Sequence, residues 1–320
     1  MAMTGAKRLR ELMSKEDHIV VAPGVYDGLS GRIALAAGAE VLYMVRPAHL
    51  TIPPFLSKIP ILTTATQTGA GTNMSRLGTA DLGIATLNDM LSNASTITSL
   101  SPSTPVICDA DTGYGGPIMV ARTVRQYALA GVAALHIEDQ VQEKRCGHLV
   151  GKQCVSREVY YARLRAAVKT RDEMGSQMMI IARTDARADM GFEEAVERLK
   201  GAVECGVDAL FLEALQSKEE CEKAVKIFAP TPVLLNMVPG GKTPQMGVKQ
   251  AKEIGFKLYI NPTLGLEAVV RPLEKAYKML VEQGTDECEP IGPKALFDIC
   301  GLNDAMAFDE SVGGAAFSSK

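Results

Sequence analysis

Eight short apolar runs, most of them followed by a stretch with helical spacing, recur along the chain, and nothing else in it limits the fold so strongly. The runs cover 20–27, 40–44, 105–112, 134–139, 178–186, 209–214, 232–238 and 257–263. Helical periodicity separates them at 120–130, 157–174, 192–205, 218–228 and 245–254. Gly131, Gly206 and Gly255 stand where helix C-caps belong, each just ahead of a new run. Several runs are apolar at consecutive positions, such as Met178-Met179-Ile180-Ile181 and Val233-Leu234-Leu235, as strands buried on both faces require. Eight strands joined by crossovers predict an α/β fold of the (β/α)8 TIM-barrel type rather than an open doubly wound sheet.

Polar residues cluster at one end of these strands. Asp109 and Asp111, Glu138, Arg183 with Asp185, Glu213 and Asn236 each fall at the C-terminal end of a different run. In a barrel those ends converge on one mouth, where such folds place their chemistry. One acidic strand end is readily a helix cap. Five successive strands that end in polar groups indicate an enzyme site.

Cys108-Asp109-Ala110-Asp111-Thr112-Gly113 sets two carboxylates at alternate positions, hence on one side of a strand end, with glycines following. Such a pair repels unless a cation lies nearby. With Glu138 it suits a hard divalent ion bound partly through water, Mg²⁺ first and Mn²⁺ as a substitute; the bland alternative is hydrogen bonding within the loop. No His/Cys group has zinc spacing. Arg183 would carry its guanidinium into the mouth for bidentate binding of a carboxylate, or pair with Asp185 or Glu213, or do both. Asn236 suits a neutral donor to substrate, and His136 a buried core histidine. In Lys144-Arg145-Cys146-Gly147-His148, a cysteine lies between cations that favour its thiolate, beside a glycine that lets the backbone bend. A solvated basic loop with an incidental cysteine is the alternative.

The whole-chain numbers narrow the class. A net charge of −3 gives no reason to expect nucleic acid or an anionic membrane as partner, and no apolar run approaches the roughly 20 residues of a membrane span. Residues 1–15 lack the apolar core of a secretory signal. Seven cysteines without a CxxC pair indicate reduced thiols inside the cell, in the cytoplasm or the mitochondrion.

The chain resembles the isocitrate lyase/phosphoenolpyruvate mutase superfamily. The likeness rests on Pro23-Gly24-Val25-Tyr26-Asp27, Ser75-Arg76-Leu77-Gly78, Asp81-Leu82-Gly83, Asp109 through Gly115, His136-Ile137-Glu138-Asp139-Gln140, Lys144 through His148, Arg183-Thr184-Asp185-Ala186 and Asn236-Met237. The cysteine loop looks like that of the carbon–carbon lyase branch (2-methylisocitrate lyase, dimethylmalate lyase, oxaloacetate hydrolase). The resemblance implies Asp109, Asp111 and Glu138 around Mg²⁺, with Asp111 the most direct contact. It implies Cys146 as catalytic acid/base, with Tyr43 and Glu138 also catalytic. For substrate it implies Thr68, Gly69 and Ala70, whose backbone holds the 2-oxo-acid end, together with Lys144, Arg145, Gly147, His148, Arg183, Glu213, Asn236 and Pro262. Proline at 262 fits a lyase, where hydrolases of the family tend to carry serine. The implied reaction splits a 2-hydroxy di- or tricarboxylate into a 2-oxo acid and a carboxylate. Alternatives are oxaloacetate hydrolysis to oxalate and acetate, a phosphonate mutase or hydrolase, and a non-catalytic barrel that binds an acid metabolite. The small-molecule carboxylate is the expected partner.

The whole chain, 1–320, is expected to form one barrel domain with two additions. Residues 264–320 exceed one closing helix and by resemblance swap between subunits of a homo-oligomer, a dimer of dimers. Residues 45–67 interrupt the family's Tyr-Met-Thr-Gly-Ala-Gly between Met44 and Thr68, with prolines at 47, 53, 54 and 60 and no acidic residue. They read as an anomalous insertion. Val codons begin GT and Gln can be CAG, the borders of an intron, so translated intron sequence is one expectation and an authentic insertion the other.

Overall fold

The computed structural model describes residues 3–44, 70–144 and 151–315. The anticipated insertion at 45–67, Thr68, Gly69, and Arg145, Cys146, Gly147 and His148 lie outside the described residues. Eight parallel strands close into a barrel in sequence order: β1 (Val20–Val25), β2 (Leu42–Met44), β3 (Val106–Asp109), β4 (Ala134–Glu138), β5 (Met179–Thr184), β6 (Ala209–Leu212), β7 (Val233–Asn236) and β8 (Leu258–Asn261). β8 pairs with β1 through Val20–Leu258 and Ala22–Ile260, which completes the ring. All eight anticipated strands are present, trimmed by one to three residues at most ends.

Strand alternation sorts the wall into two apolar layers. Val20, Ala22, Val41, Ile107, Ala134, Ile181, Phe211, Leu234 and Ile260 fill the interior. Leu42, Val106, Leu135, Ile180, Leu210, Val233 and Tyr259 face the surrounding helices. Continuing the inner parity along β3 to β7 leads to Asp109, Glu138, Arg183, Glu213 and Asn236. The barrel therefore delivers five polar side chains to its mouth because it delivers apolar ones to its centre.

Helices begin and end where local chemistry dictates. Ser156 caps Arg157–Glu173 by accepting from the Val159 N–H, and Ser217 caps Lys218–Phe228 through Glu220. Gly131, Gly206 and Gly255 have φ of 82°, 85° and 107°, a region open to glycine at little cost. The helix Leu264–Gln283 after β8 buries only Leu266, while Tyr277, Leu280 and Val281 on it are exposed. Beside its first turns an apolar groove of about 720 Å³ runs along the flank of the barrel, lined by Val21, Leu29, Ile33, Leu264 and Val269 among others. Two further helices follow, Gly292–Ile299 and Leu302–Ser311, and neither buries a residue. Among the described residues no helix is long and apolar enough to cross a membrane.

Candidate active site

The mouth holds six buried carboxylates, those of Asp81, Asp109, Asp111, Glu138, Asp185 and Glu213, and three buried cations, Lys144, Lys152 and Arg183. The expected alternation of Asp109 and Asp111 along one strand is corrected by the backbone. β3 ends at Asp109, and Asp111 has φ 52°, so a left-handed turn and not the pleat sets its direction. Asp109 steadies that turn by accepting from the Asp111 N–H at 2.8 Å. Capping within the loop thus coexists with any role toward a cation. Gly113 follows with φ 85°, and a Cβ there would strike Val120.

Lys144 draws three carboxylates together. Its Nζ lies 2.5 Å from Asp111, 3.1 Å from Asp81 and 3.8 Å from Glu138. Glu138 also accepts from the Gln140 amide at 3.2 Å. Asp81 received no individual role from the sequence, although its segment carries part of the resemblance. The signal lies in the neighbouring glycine: a Cβ on Gly83 would come within 2.7 Å of the Gln142 carbonyl oxygen, so the turn after Asp81 packs directly on the segment that supplies Lys144.

Arg183 forms a fork with Asp185, Nε to Oδ2 at 2.8 Å and Nη2 to Oδ1 at 3.0 Å. It also approaches Glu213 at 3.3 Å and Glu138 at 3.5 Å and rests on the Phe211 ring. Its guanidinium thus pairs with Asp185 and Glu213 and remains at the mouth. Lys152 joins from the other side, 3.0 Å from Asp185. Burial opposes charge on Asp185, but Arg183 and Lys152 outweigh it and hold the carboxyl far below the usual carboxylate range. Asp139 sits behind, accepting from the Thr184 hydroxyl, the Asp185 N–H and Arg198. Burial and the nearby Asp185 charge push its carboxyl up.

Asn236, expected to donate to substrate, directs its amide nitrogen at both Glu213 oxygens, at 3.3 and 3.2 Å. Among the described residues the buried Oδ1 has no hydrogen-bond partner, so an acceptor is what this side chain offers. His136 is buried as expected, yet it also serves the site. Its Nε2 is 2.6 Å from the Tyr43 hydroxyl and its Nδ1 is 3.5 Å from Asp109, which links a carboxylate, an imidazole and a phenol in a row. Pro262 is buried immediately after β8. Ala70 opens the short helix Ala70–Thr72, which continues into a π-helical turn, Asn73–Leu77.

Among the described residues no group of three or more His, Cys, Asp or Glu side chains is gathered closely enough to hold an ion as it stands. The donor chemistry nevertheless fits a hard divalent cation. The oxygens are carboxylates, they outnumber the cations around them, and Asp81, Asp111 and Glu138 already converge on one positive charge.

The chain is similar over almost its full length to enzymes named as lyases and to one named as an acetylhydrolase. It is 40% identical over 312 residues to 2-methylisocitrate lyase of Aeropyrum pernix, covering 96% of this chain and 91% of that protein. It is 35% identical to 2,3-dimethylmalate lyase of Eubacterium barkeri, with 88% of each covered. Among solved structures, a 2,3-dimethylmalate lyase superposes with a TM-score of 0.90 at 47% identity, covering 100% of this chain and 99% of that one. An oxaloacetate acetylhydrolase bound to 3,3-difluorooxalacetate gives 0.89 at 45%, covering 98% and 99%. The family model for phosphoenolpyruvate phosphomutase matches residues 9–281, and the chain belongs to that family, within the phosphoenolpyruvate mutase/isocitrate lyase superfamily.

Proposed function

We propose that the protein is a Mg²⁺-dependent lyase that cleaves a carbon–carbon bond of a 2-hydroxy di- or tricarboxylate, of 2-methylisocitrate or substituted-malate type, giving a 2-oxo acid and a carboxylate. The observation that carries this reading is the mouth itself: a carboxylate cluster around Asp111 with Arg183 held beside it by Asp185. The similar lyases support it.

Asp111 directly, with Asp109 and Glu138 through water, would hold the divalent ion, which as a Lewis acid acidifies a hydroxyl and neutralises a carboxylate. Arg183 orients the substrate carboxylate, and Asn236 Oδ1 accepts from a substrate hydroxyl. Glu138 and Tyr43, the latter held by His136, are the assigned groups for the hydroxyl proton. Once that proton leaves, the adjacent carbon–carbon bond breaks, the oxygen becomes a ketone, and the departing fragment carries the electron pair. Cys146 gives that carbon its proton. Arg145, Gly147 and His148 complete the assigned contacts to the substrate carboxylate, and the backbone of Thr68, Gly69 and Ala70 holds the 2-oxo-acid end.

Hydrolysis of oxaloacetate in the same mouth is the second reading, favoured by the superposition on the acetylhydrolase. The proposed assembly is a dimer of dimers, in which helices after β8 cover the apolar flank groove of a neighbour. The proposed location is intracellular, in keeping with the free thiols of the six described cysteines. Turnover of 2-methylisocitrate, 2,3-dimethylmalate, isocitrate, oxaloacetate and phosphonopyruvate, each with and without Mg²⁺, tests the assignment. Mg²⁺-dependent release of a 2-oxo acid from one of the hydroxy acids is the expected result. Inactivity on the whole panel would refute an enzymatic role and favour a barrel that only binds acids.

A further inference from the structure

Lys144 occupies the point toward which Asp81, Asp111 and Glu138 are directed. Its ammonium is 2.5 Å from Asp111, 3.1 Å from Asp81 and 3.8 Å from Glu138, and its side chain is 2% exposed. An ammonium and a hard divalent ion seek the same oxygens, but they do not do the same to them. A lysine is a single charge with three N–H donors, and here Asp81 and Asp111 stand at hydrogen-bond distance while Glu138 interacts only as an ion pair. A divalent ion draws several oxygens onto one centre at about 2.1 Å for Mg²⁺. With Lys144 in place, no three acidic side chains among the described residues are gathered as an ion requires. An ion on the same Asp111 oxygen would bring two positive centres side by side in a buried site, where such repulsion is weakly screened.

We infer that Lys144 is an internal competitor for the metal: its ammonium holds the carboxylates in the metal-free protein and leaves Asp111 when the divalent ion binds. The inference rests on the proposed metal site and extends it. It makes metal occupancy and the placement of Lys144 reciprocally linked, since whatever displaces the lysine is weakened by it to the same degree. Lys144 lies two positions before Cys146 in the chain. Lys144 is a positioning residue in this account.

Lys152 supplies the internal reference. It is equally buried and paired with a carboxylate, Asp185, at 3.0 Å, but its partner belongs to the Arg183 group. The experiment measures acetylation of both lysines in the wild-type protein by mass spectrometry, with and without Mg²⁺. Mn²⁺ binding to wild type and to Lys144→Met is followed by electron paramagnetic resonance. The expected result is faster acetylation of Lys144 when Mg²⁺ is present, no change at Lys152, and Mn²⁺ binding about tenfold tighter in Lys144→Met, within the range usual for coupled sites. If wild type binds Mn²⁺ while Lys144 acetylation is unaltered by Mg²⁺ and Lys144→Met binds no more tightly, the competition is overturned and the metal site stands. If wild type binds no Mn²⁺, both are overturned. The labelling arm uses the native protein, so poor folding of the variant leaves the question decidable.

Discussion

Asp185 lies between two buried cations, and that position ties stability to acidity. Its carboxyl is depressed in the folded protein, so the folded state holds the charge more strongly than the unfolded chain does. The resulting stabilisation is fully present above the ordinary carboxylate value of about 3.9 and fades as pH falls from there toward the depressed folded value. Asp185→Asn leaves Arg183 and Lys152 buried without their shared partner, so unfolding free energy at neutral pH should drop by about 3–5 kcal/mol. Urea titrations should also show less loss of stability for the variant than for wild type as pH is lowered below 4. A variant as stable as wild type at neutral pH would overturn the role given to this pair. Cys146→Ser should lower kcat by at least about a hundredfold, the low end of what acid–base catalysis contributes, while Mg²⁺-dependent binding of a 2-oxo acid persists. Retention of more than a tenth of wild-type kcat would exclude the thiol as the proton donor. Glu138, Arg183 and Glu213 were legible in the sequence because polar groups end five successive apolar strands, a repetition that helix capping does not explain. Asp81 and Lys152 were not, for a reason of distance. Asp81 meets its cation 63 positions away and Lys152 its carboxylate 33 away, and each belongs to a segment without periodicity.

At the level of elements, strands read more clearly than helices. A buried parallel strand must be apolar on both faces, and such runs stand out. The helix Leu87–Leu100, Leu-Asn-Asp-Met-Leu-Ser-Asn-Ala-Ser-Thr-Ile-Thr-Ser-Leu, was not among those anticipated, because its Ser, Thr and Asn content is that of a loop. Reciprocal capping by Thr86 and Asp89 starts it, and the burial of Leu87, Met90, Ala94 and Ile97 on one face holds it. Tertiary packing decided what propensity left open. Residues 45–67 pose the opposite case, a segment judged by what it interrupts. β2 ends at Met44 and the next described helix opens at Ala70, so these 23 residues, 45 through 67, separate a strand of the wall from the turn assigned to substrate. Joining Met44 directly to Thr68 should raise kcat/KM, and transcripts across this junction should lack the corresponding 69 nucleotides. Transcripts that uniformly retain the segment would refute the intron reading, and so would a deletion that abolishes activity.

At the scale of the whole molecule, the barrel carries an apolar flank with large side chains exposed among the described residues. Leu29 and Ile33 stand exposed at the groove, and Tyr277, Leu280, Phe297 and Phe308 stand exposed on the helices after β8. If these surfaces meet between copies, light scattering should give a tetramer at micromolar concentration, and Ile33→Glu should shift the mass downward. A stable, active monomer of the unaltered protein under those conditions would refute the assembly. The ring has a further consequence, for synthesis. β1 pairs with β8, so Val20 waits for Leu258 and Ala22 for Ile260. At about 5–20 residues per second, roughly 10–50 s separate the emergence of the first strand from that of its last neighbour. For that interval the first strand has one open edge, and the nascent chain must keep it from pairing elsewhere.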